Sequence, residues 1–257
     1  LVLQFGLSIE ELLLAQLGKK DDPGSGGRQM PAHWSSRRQH ILTASSPVTT
    51  QIAHAAGMAW AFKRQREDAV VAVFLGEGST SQGEFHESLN FSSIHHLPLL
   101  VVVENNGYAI SVPQSQQMAI EQVADRAAGY GITGITVLGT DPEAIYEAGV
   151  AARKRAVAGQ GPTLIEVKTY RYKPHSSDDD DRSYRTAEEL EAERADDPID
   201  RWHHVLESRG LWSPEKEETL RQDIQKRIHD ATTKAFAASD PDPSTLLDQV
   251  YSSQPLR

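Results

Sequence analysis

Two short, unbroken apolar runs constrain this chain more than any other feature. Ala69 to Leu75 and Leu99 to Val103 are rich in β-branched residues and carry no polar alternation. Runs of that length and kind read as strands buried on both faces of a parallel sheet. Between them Glu84 to Ile94 has helical spacing, with Phe85, Leu89 and Ile94 on or near one face. Strand, loop, helix and strand then form a right-handed crossover, which sets both strands in one sheet with their following segments at the same carboxyl edge. Those segments are Gly76-Glu77-Gly78 and Glu104-Asn105-Asn106-Gly107-Tyr108. Open α/β sheets bind their ligands at that edge.

The residue types name the chemistry. Glu77 offers a hard carboxylate oxygen, Asn106 or its neighbour Asn105 an amide oxygen, and the turn at Tyr108 a main-chain carbonyl, a donor set suited to Mg2+ or Ca2+. Mg2+ takes few protein ligands and completes an octahedron at roughly 2.0–2.1 Å with phosphate oxygens and water. Gly76, Gly78 and Gly83 let main-chain N–H groups and a helix N-terminus come close to an anion. The inferred ligand is a metal-bridged diphosphate. Each loop alone also reads as an ordinary turn, but two loops with complementary donors on neighbouring strand ends favour a site. Rival glycine motifs fail on required residues. Gly78 to Gly83 has Walker A spacing, yet Glu84-Phe85 stands where Lys and Ser or Thr must follow, and Ser81 occupies the place of the third Rossmann glycine.

The rest of the chain alternates in the same manner. Ser8-Ile9-Glu10-Glu11 reads as a capping box opening a helix whose Ile9, Leu12, Leu13, Gln16 and Leu17 share a face, closed by Gly18. Residues 21–40 read as loop. A helix over Val48 to Arg66 leads into the first strand; a short helix near Glu121 to Ala128, a strand near Thr136 to Leu138, a helix opened by Asp141-Pro142, and a strand over Thr163 to Tyr172 follow. This order predicts an α/β fold, a mostly parallel sheet flanked by helices. From Thr186 the chain reads as a polar helical C-terminal extension, 186–257, of one domain spanning 1–257. Its last helix carries an apolar stripe, Leu220, Ile224, Ile228, Ala231 and Ala235, which requires a partner surface.

The motif residues carry a family resemblance. Gly76-Glu77-Gly78, then 26 residues, then Asn105-Asn106 is similar to the thiamine diphosphate motif, usually Gly-Asp-Gly through Asn-Asn. Phe74 to Gly78, Gly83, Glu87, Asn90, Pro98 and Glu104 to Ser111 resemble the alpha subunit of a 2-oxo acid dehydrogenase, the thiamine-dependent decarboxylating component of a multienzyme complex. Gly27 to Pro31, Ser45-Ser46-Pro47, Thr169-Tyr170-Arg171 and His175-Ser176 extend the resemblance along nearly the whole chain. Glu77 in place of the commoner Asp, the Ser-Ser-Pro and the acidic loop after His175 resemble the branched-chain members. The resemblance therefore implies branched-chain 2-oxo acids as substrates, with the pyruvate and acetoin dehydrogenase alpha subunits as alternatives, alongside a non-catalytic subunit.

The resemblance also implies roles. Gly76, Glu77, Gly78, Ser79 and Asn106 would bind cofactor, with Glu77, Asn106 and Tyr108 holding Mg2+; Ser46 and the main chain near Val48 would lie beside the thiamine ring. Ser45, Thr50 and Gln51 match a monovalent-cation (K+) site of some relatives. His175, just past a strand end, is the side chain best able to move a proton near neutral pH, and it matches the family's active-site histidine, which also meets the cofactor. The aspartates 178–181 read as loop chemistry; an EF-hand is excluded, because Arg182 and Ser183 fall where a ligand and the obligate Gly belong. His95-His96 and His203-His204 are adjacent pairs, which do not face one another on a helix. The implied reaction is decarboxylation of the 2-oxo acid and acyl transfer to a lipoyl arm. Its implied partners are a beta subunit, which completes the site in an α2β2 assembly, and a lipoyl-bearing acyltransferase. The family's Tyr-Arg pair that helps hold the diphosphate lies just before the segment that Leu1 to Phe5 resemble, so the expected chain is N-terminally truncated.

Composition limits the remaining classes. With 257 residues, 39% hydrophobic content and a net charge of -10, the chain can build one large core, and its acidity argues against nucleic acid. The longest apolar runs are about seven residues, against roughly 20 for a membrane span. Without cysteine there are no disulfides or thiolate metal sites. The expected compartment is bacterial cytoplasm, or the mitochondrial matrix in a eukaryote.

Overall fold

The computed structural model describes residues 1–43, 46–248 and 250. Chain contacts divide the molecule into two compact units, Ser46–Leu211 and Leu1–Ser45 with Trp212–Arg257. The larger unit contains β1 (Val71–Gly76), β2 (Leu99–Asn105), β5 (Thr133–Leu138) and β6 (Thr163–Lys168), in the order β1-β2-β6-β5 and all parallel. A separate two-stranded hairpin, β3 (Tyr108–Ala109) and β4 (Val112–Pro113), follows β2. This is the α/β architecture that the alternating pattern predicts.

Period-two alternation in β2 divides the core. Leu99, Val101 and Val103 pack with α2 (Thr50–Gln65) and α3 (Gly83–Ile94) on one face; Leu100 and Val102 face α6 (Pro142–Val157), whose Ala148, Ala152 and Ala156 form an inward row. Alanines four residues apart let α6 lie close to the sheet. Asp141 caps α6 by accepting from Ala144 N at 3.0 Å, with Pro142 in the first turn. The unit ends in α7 (Ala187–Arg194) and α8 (Pro198–Ser208).

Several boundaries differ from the sequence expectation. The α2 helix begins at Thr50, because Thr49 has φ +79°, outside the helical region. The segment 121–128 is a 3-10 turn over Val123–Asp125 followed by one helical turn, α5 (Arg126–Gly129), and β6 stops at Lys168. Between β4 and α5 lies α4 (Gln114–Gln117), a single turn with no apolar periodicity to announce it.

In the smaller unit α1 (Ile9–Gln16) has the expected capping box. Ser8 Oγ accepts from Glu11 N at 3.1 Å and Glu11 Oε2 accepts from Ser8 N at 2.7 Å. Its most buried position is Leu14, outside the face read from the sequence, and Gln16 is exposed. The α1 helix packs against α9 (Pro214–Ala237) where Ala231 and Ala235 are buried. Leu220, Ile224 and Ile228 of the expected stripe stay 40–47% exposed. The helical stretch from Thr186 is thus divided between the units, α7 and α8 in the larger and α9 in the smaller. No helix among the described residues is long and apolar enough to cross a membrane.

Candidate active site

The carboxyl ends of β1 and β2 are adjacent, with Gly76 in register with Glu104. Past β1 the chain turns into a 3-10 segment, Glu77–Ser81, and past β2 into the Asn105–Tyr108 turn. Glu77 is 1% exposed. Its Oε2 accepts from Asn106 N at 3.2 Å, while Oε1 is buried with no donor. Burial pushes the Glu77 carboxyl above its ordinary range, against the opposing pull of its own and Asn106's main-chain N–H groups and of the Arg171 and Lys168 charges. A buried carboxylate oxygen without a donor is costly unless a cation meets it.

The two asparagines divide their duties. Asn105 is 2% exposed and wholly engaged: Nδ2 donates to Glu166 Oε1 at 2.6 Å and Gln114 Oε1 at 2.8 Å, and Oδ1 accepts from Gly107 N at 3.0 Å. Asn106 is half-buried, and its Oδ1 accepts from Tyr108 N at 3.1 Å, which closes an Asx turn. Gly107, at φ +82°, supplies the left-handed residue this turn requires. Gln114 N donates to Gly107 O at 2.8 Å, so in the register Tyr108↔Pro113 the next pair exchanges no bonds. The Tyr108 carbonyl therefore lies outside the hairpin ladder. Among the described residues no three His, Cys, Asp or Glu side chains are grouped to hold a metal, so a cation at Glu77 would draw on neutral oxygens such as these.

Gly78 joins the two loops. A Cβ there would come within 2.9 Å of Ala109 Cβ and 3.7 Å of Gln117 Nε2. Gly78→Ala is expected to push the hairpin off the Glu77 turn and to destabilise the protein by about 1–3 kcal/mol. Thermal unfolding checks this, and adding Ala109→Gly should recover most of the loss.

Chain comparison adds to this geometry. The model of the dehydrogenase E1 component family matches residues 1–244. The chain belongs to the dehydrogenase E1 component family. It is 47% identical over 250 residues to the 2-oxoisovalerate dehydrogenase subunit alpha of Bacillus subtilis (strain 168), covering 97% of this chain and 76% of that protein. It is 42% identical over 247 residues to the mitochondrial 2-oxoisovalerate dehydrogenase subunit alpha of Bos taurus, covering 95% and 54%, and 37% identical over 251 residues to subunit alpha 1 of Arabidopsis thaliana, covering 97% and 53%. The chain spans about half the length of these mitochondrial relatives.

In this E1 component Ser46 and Val48 are exposed in the turn before α2, next to Thr49. Thr49 is fully buried in a left-handed conformation rare for a β-branched residue, and its Oγ1 donates to Ser79 O at 3.0 Å. One strained residue thus fastens the Ser46–Val48 turn to the loop of Ser79. Of the monovalent-cation candidates, Thr50 Oγ1 donates to Pro47 O at 3.1 Å, and Gln51 Nε2 to Phe74 O at 3.3 Å, leaving Gln51 Oε1 buried without a donor. Ser45 lies outside the described residues.

His175 is exposed, in a loop tied to the same hairpin. Its main-chain N–H donates to Asp179 Oδ2 at 2.7 Å, and Asp179 also accepts from Tyr184 OH at 2.6 Å. Arg171 Nη2 donates to Ile110 O at 2.7 Å and Tyr184 OH at 3.0 Å, and the Tyr184 ring lies 5.6 Å from that of Tyr108. Tyr108 OH donates to Glu189 Oε1 at 2.9 Å; burial, with this bond next, pushes its phenol up to about 12. The loop is therefore anchored at both ends, with His175 at its exposed part.

Thr49, Gln117 and Glu166 belong to none of the sequence motifs. Glu166 left a signal, a lone carboxylate within the apolar strand Thr163–Val167, where burial demands partners. Thr49 and Gln117 left none, since their roles come from backbone angles and a one-turn helix.

Proposed function

We propose that this chain is the alpha subunit of a branched-chain 2-oxo acid dehydrogenase, supplying the diphosphate and metal part of a thiamine diphosphate site. The observation that carries this is the buried Glu77 carboxylate, one oxygen on Asn106 N and the other without a donor, at the strand ends of an E1 component. Glu77 Oε1, the Asn106 amide oxygen and the Tyr108 carbonyl would hold Mg2+. Gly76, Gly78 and Ser79 would meet the diphosphate, and Ser46 and Val48 the thiamine ring. When bound, thiamine diphosphate supplies the carbon nucleophile and electron sink for loss of carbon dioxide. His175 would hold or move a proton, or orient the substrate, from the anchored loop. Thr50 and Gln51, with Ser45, would take K+.

The function needs partners: a beta subunit in an α2β2 assembly completes the site, and a lipoyl-bearing acyltransferase accepts the acyl group. The proposed setting is bacterial cytoplasm, or mitochondrial matrix in a eukaryote. Co-expression with the beta subunit tests the proposal. Decarboxylation of 3-methyl-2-oxobutanoate should require Mg2+ and thiamine diphosphate and exceed that of pyruvate in kcat/KM by about tenfold or more, the scale set by added methylenes in an apolar pocket. Equal or greater preference for pyruvate would refute the substrate assignment. In the same assembly His175→Ala, which also removes a proposed cofactor contact, should lower kcat by about 10²-fold or more with cofactor saturating; unchanged kcat would remove His175 from the reaction.

A further inference from the structure

The one-turn helix α4 touches both loops that carry the proposed metal ligands. At its first residue, Gln114 N donates to Gly107 O at 2.8 Å, and Gln114 Oε1 accepts from Asn105 Nδ2 at 2.8 Å. At its last residue, Gln117 Nε2 donates to Glu77 O at 3.3 Å and to Ser81 Oγ at 3.2 Å. Residues three apart lie on one face of a helical turn, so the two glutamines meet the two loops from a single rigid piece. The Glu77 carbonyl also accepts from Thr80 Oγ1 at 2.7 Å. Thr80 belongs to the same turn as Glu77 and so cannot relate it to the other loop.

We infer that Gln117 is a positioning residue which, through α4, sets the separation of Glu77 from the Asn106–Tyr108 turn and thereby the affinity for the divalent cation. The inference rests on the metal reading above. Gln117 holds its loop through the amide nitrogen alone, because Oε1 is buried with no donor. An amide is required at this position. Ala removes the donor, and Glu, of the same shape, puts a second oxygen against the Glu77 carbonyl.

The test uses the assembly co-expressed with the beta subunit, with Mn2+ as the probe and thiamine diphosphate present. Electron paramagnetic resonance reports both free Mn2+ and the signal of the bound ion. Gln117→Ala and Gln117→Glu should each weaken Mn2+ binding about tenfold or more, the usual scale for residues supporting metal ligands, with an altered bound-ion signal. The Glu variant separates positioning from charge. An added carboxylate near a cation tightens binding unless it displaces Glu77, so tighter binding in Gln117→Glu overturns the inference. Gln117→Met, equal in length and without a donor, replaces the Ala variant should that fail to fold. Binding within twofold of wild type in both the Met and Glu variants also overturns the inference, leaving the metal reading intact. Wild-type protein that binds no Mn2+ with the cofactor present overturns both.

Discussion

Replacing Glu77 with Gln in the proposed assembly is expected to lower kcat/KM for 3-methyl-2-oxobutanoate by about three orders of magnitude or more. Glu77 is proposed as the only charged protein ligand of a cation that otherwise meets neutral oxygens and phosphate. Loss of several kcal/mol of metal-borne stabilisation corresponds to roughly that factor at about 1.4 kcal/mol per decade. Titration calorimetry of Mg2+ and thiamine diphosphate should show the same loss, and normal binding by the variant would sink the metal assignment. The substitution nearly conserves shape, and Gln can still accept from Asn106 N.

The same carboxylate gives a pH dependence of definite sign. Burial raises the Glu77 pKa in the folded chain above its ordinary 4.5, so the ionised form is the one that folding disfavours. Without cation, the protonated form's contribution to stability is fully present below the unfolded pKa and is lost as pH rises through the folded one. Wild type should therefore lose stability relative to Glu77→Gln as pH increases above about 4.5. Melting curves of both proteins across that range, without Mg2+, check the direction. Cation and cofactor should reverse the order at neutral pH, because the proposed metal site takes the ionised form. On acidification protons compete for the same oxygen, so cation affinity should fall.

Glu166→Ala is expected to destabilise the protein by about 3–5 kcal/mol, the range for removing one partner of a buried charged network. Glu166 is fully buried in β6. Its Oε1 accepts from Asn105 Nδ2 at 2.6 Å and Lys168 Nζ at 2.7 Å, and its Oε2 from Ala124 N at 3.0 Å and Thr136 Oγ1 at 3.3 Å. Burial alone would raise the pKa of this carboxyl, but the donors, Lys168 foremost, hold it below the usual range. Its stabilisation is therefore present above the unfolded pKa and lost as pH falls through the folded one. Thermal unfolding should show the variant melting about 6–20 °C lower, at some 2–4 °C per kcal/mol for a unit of this size. A change below about 1 kcal/mol would show that the network is replaceable. Cation affinity should also weaken, because the Asn105 side chain that Glu166 holds also fixes Gly107 N and the start of the Asn106 turn.

The two carboxylates differ in how far they could be read from the chain. Glu77 was legible because it stands at a strand end between glycines, where sheet topology places ligands. Glu166 stood out as a charge inside an apolar strand, but its partners lie 61, 42 and 30 residues away, at Asn105, Ala124 and Thr136, and no local pattern links them. Boundaries failed where a backbone angle decided them. Thr49 has an ordinary helix-compatible sequence around it, yet its left-handed conformation delays α2 to Thr50 and turns its hydroxyl onto Ser79. The α4 helix failed for a different reason: one turn has too few residues to show a period. Burial within α1 also eluded the pattern, since Leu14, outside the face read from the spacing, is the buried position.

The sequence by itself determined the parallel α/β order, the two adjacent strand ends that carry Glu77 and Asn106, and the family. These depend on apolar periodicity and on glycine and asparagine turn chemistry, which act within a few residues of chain. Tertiary structure alone decided that Asn105 is committed to Glu166 and Gln114 while Asn106 lies against Glu77, since both asparagines offer the same donors and acceptors until packing assigns partners. It also decided that Thr49 and the short α4 brace the loops. Bonds between segments separated by 30 and 40 residues arise only when the sheet has brought those segments together.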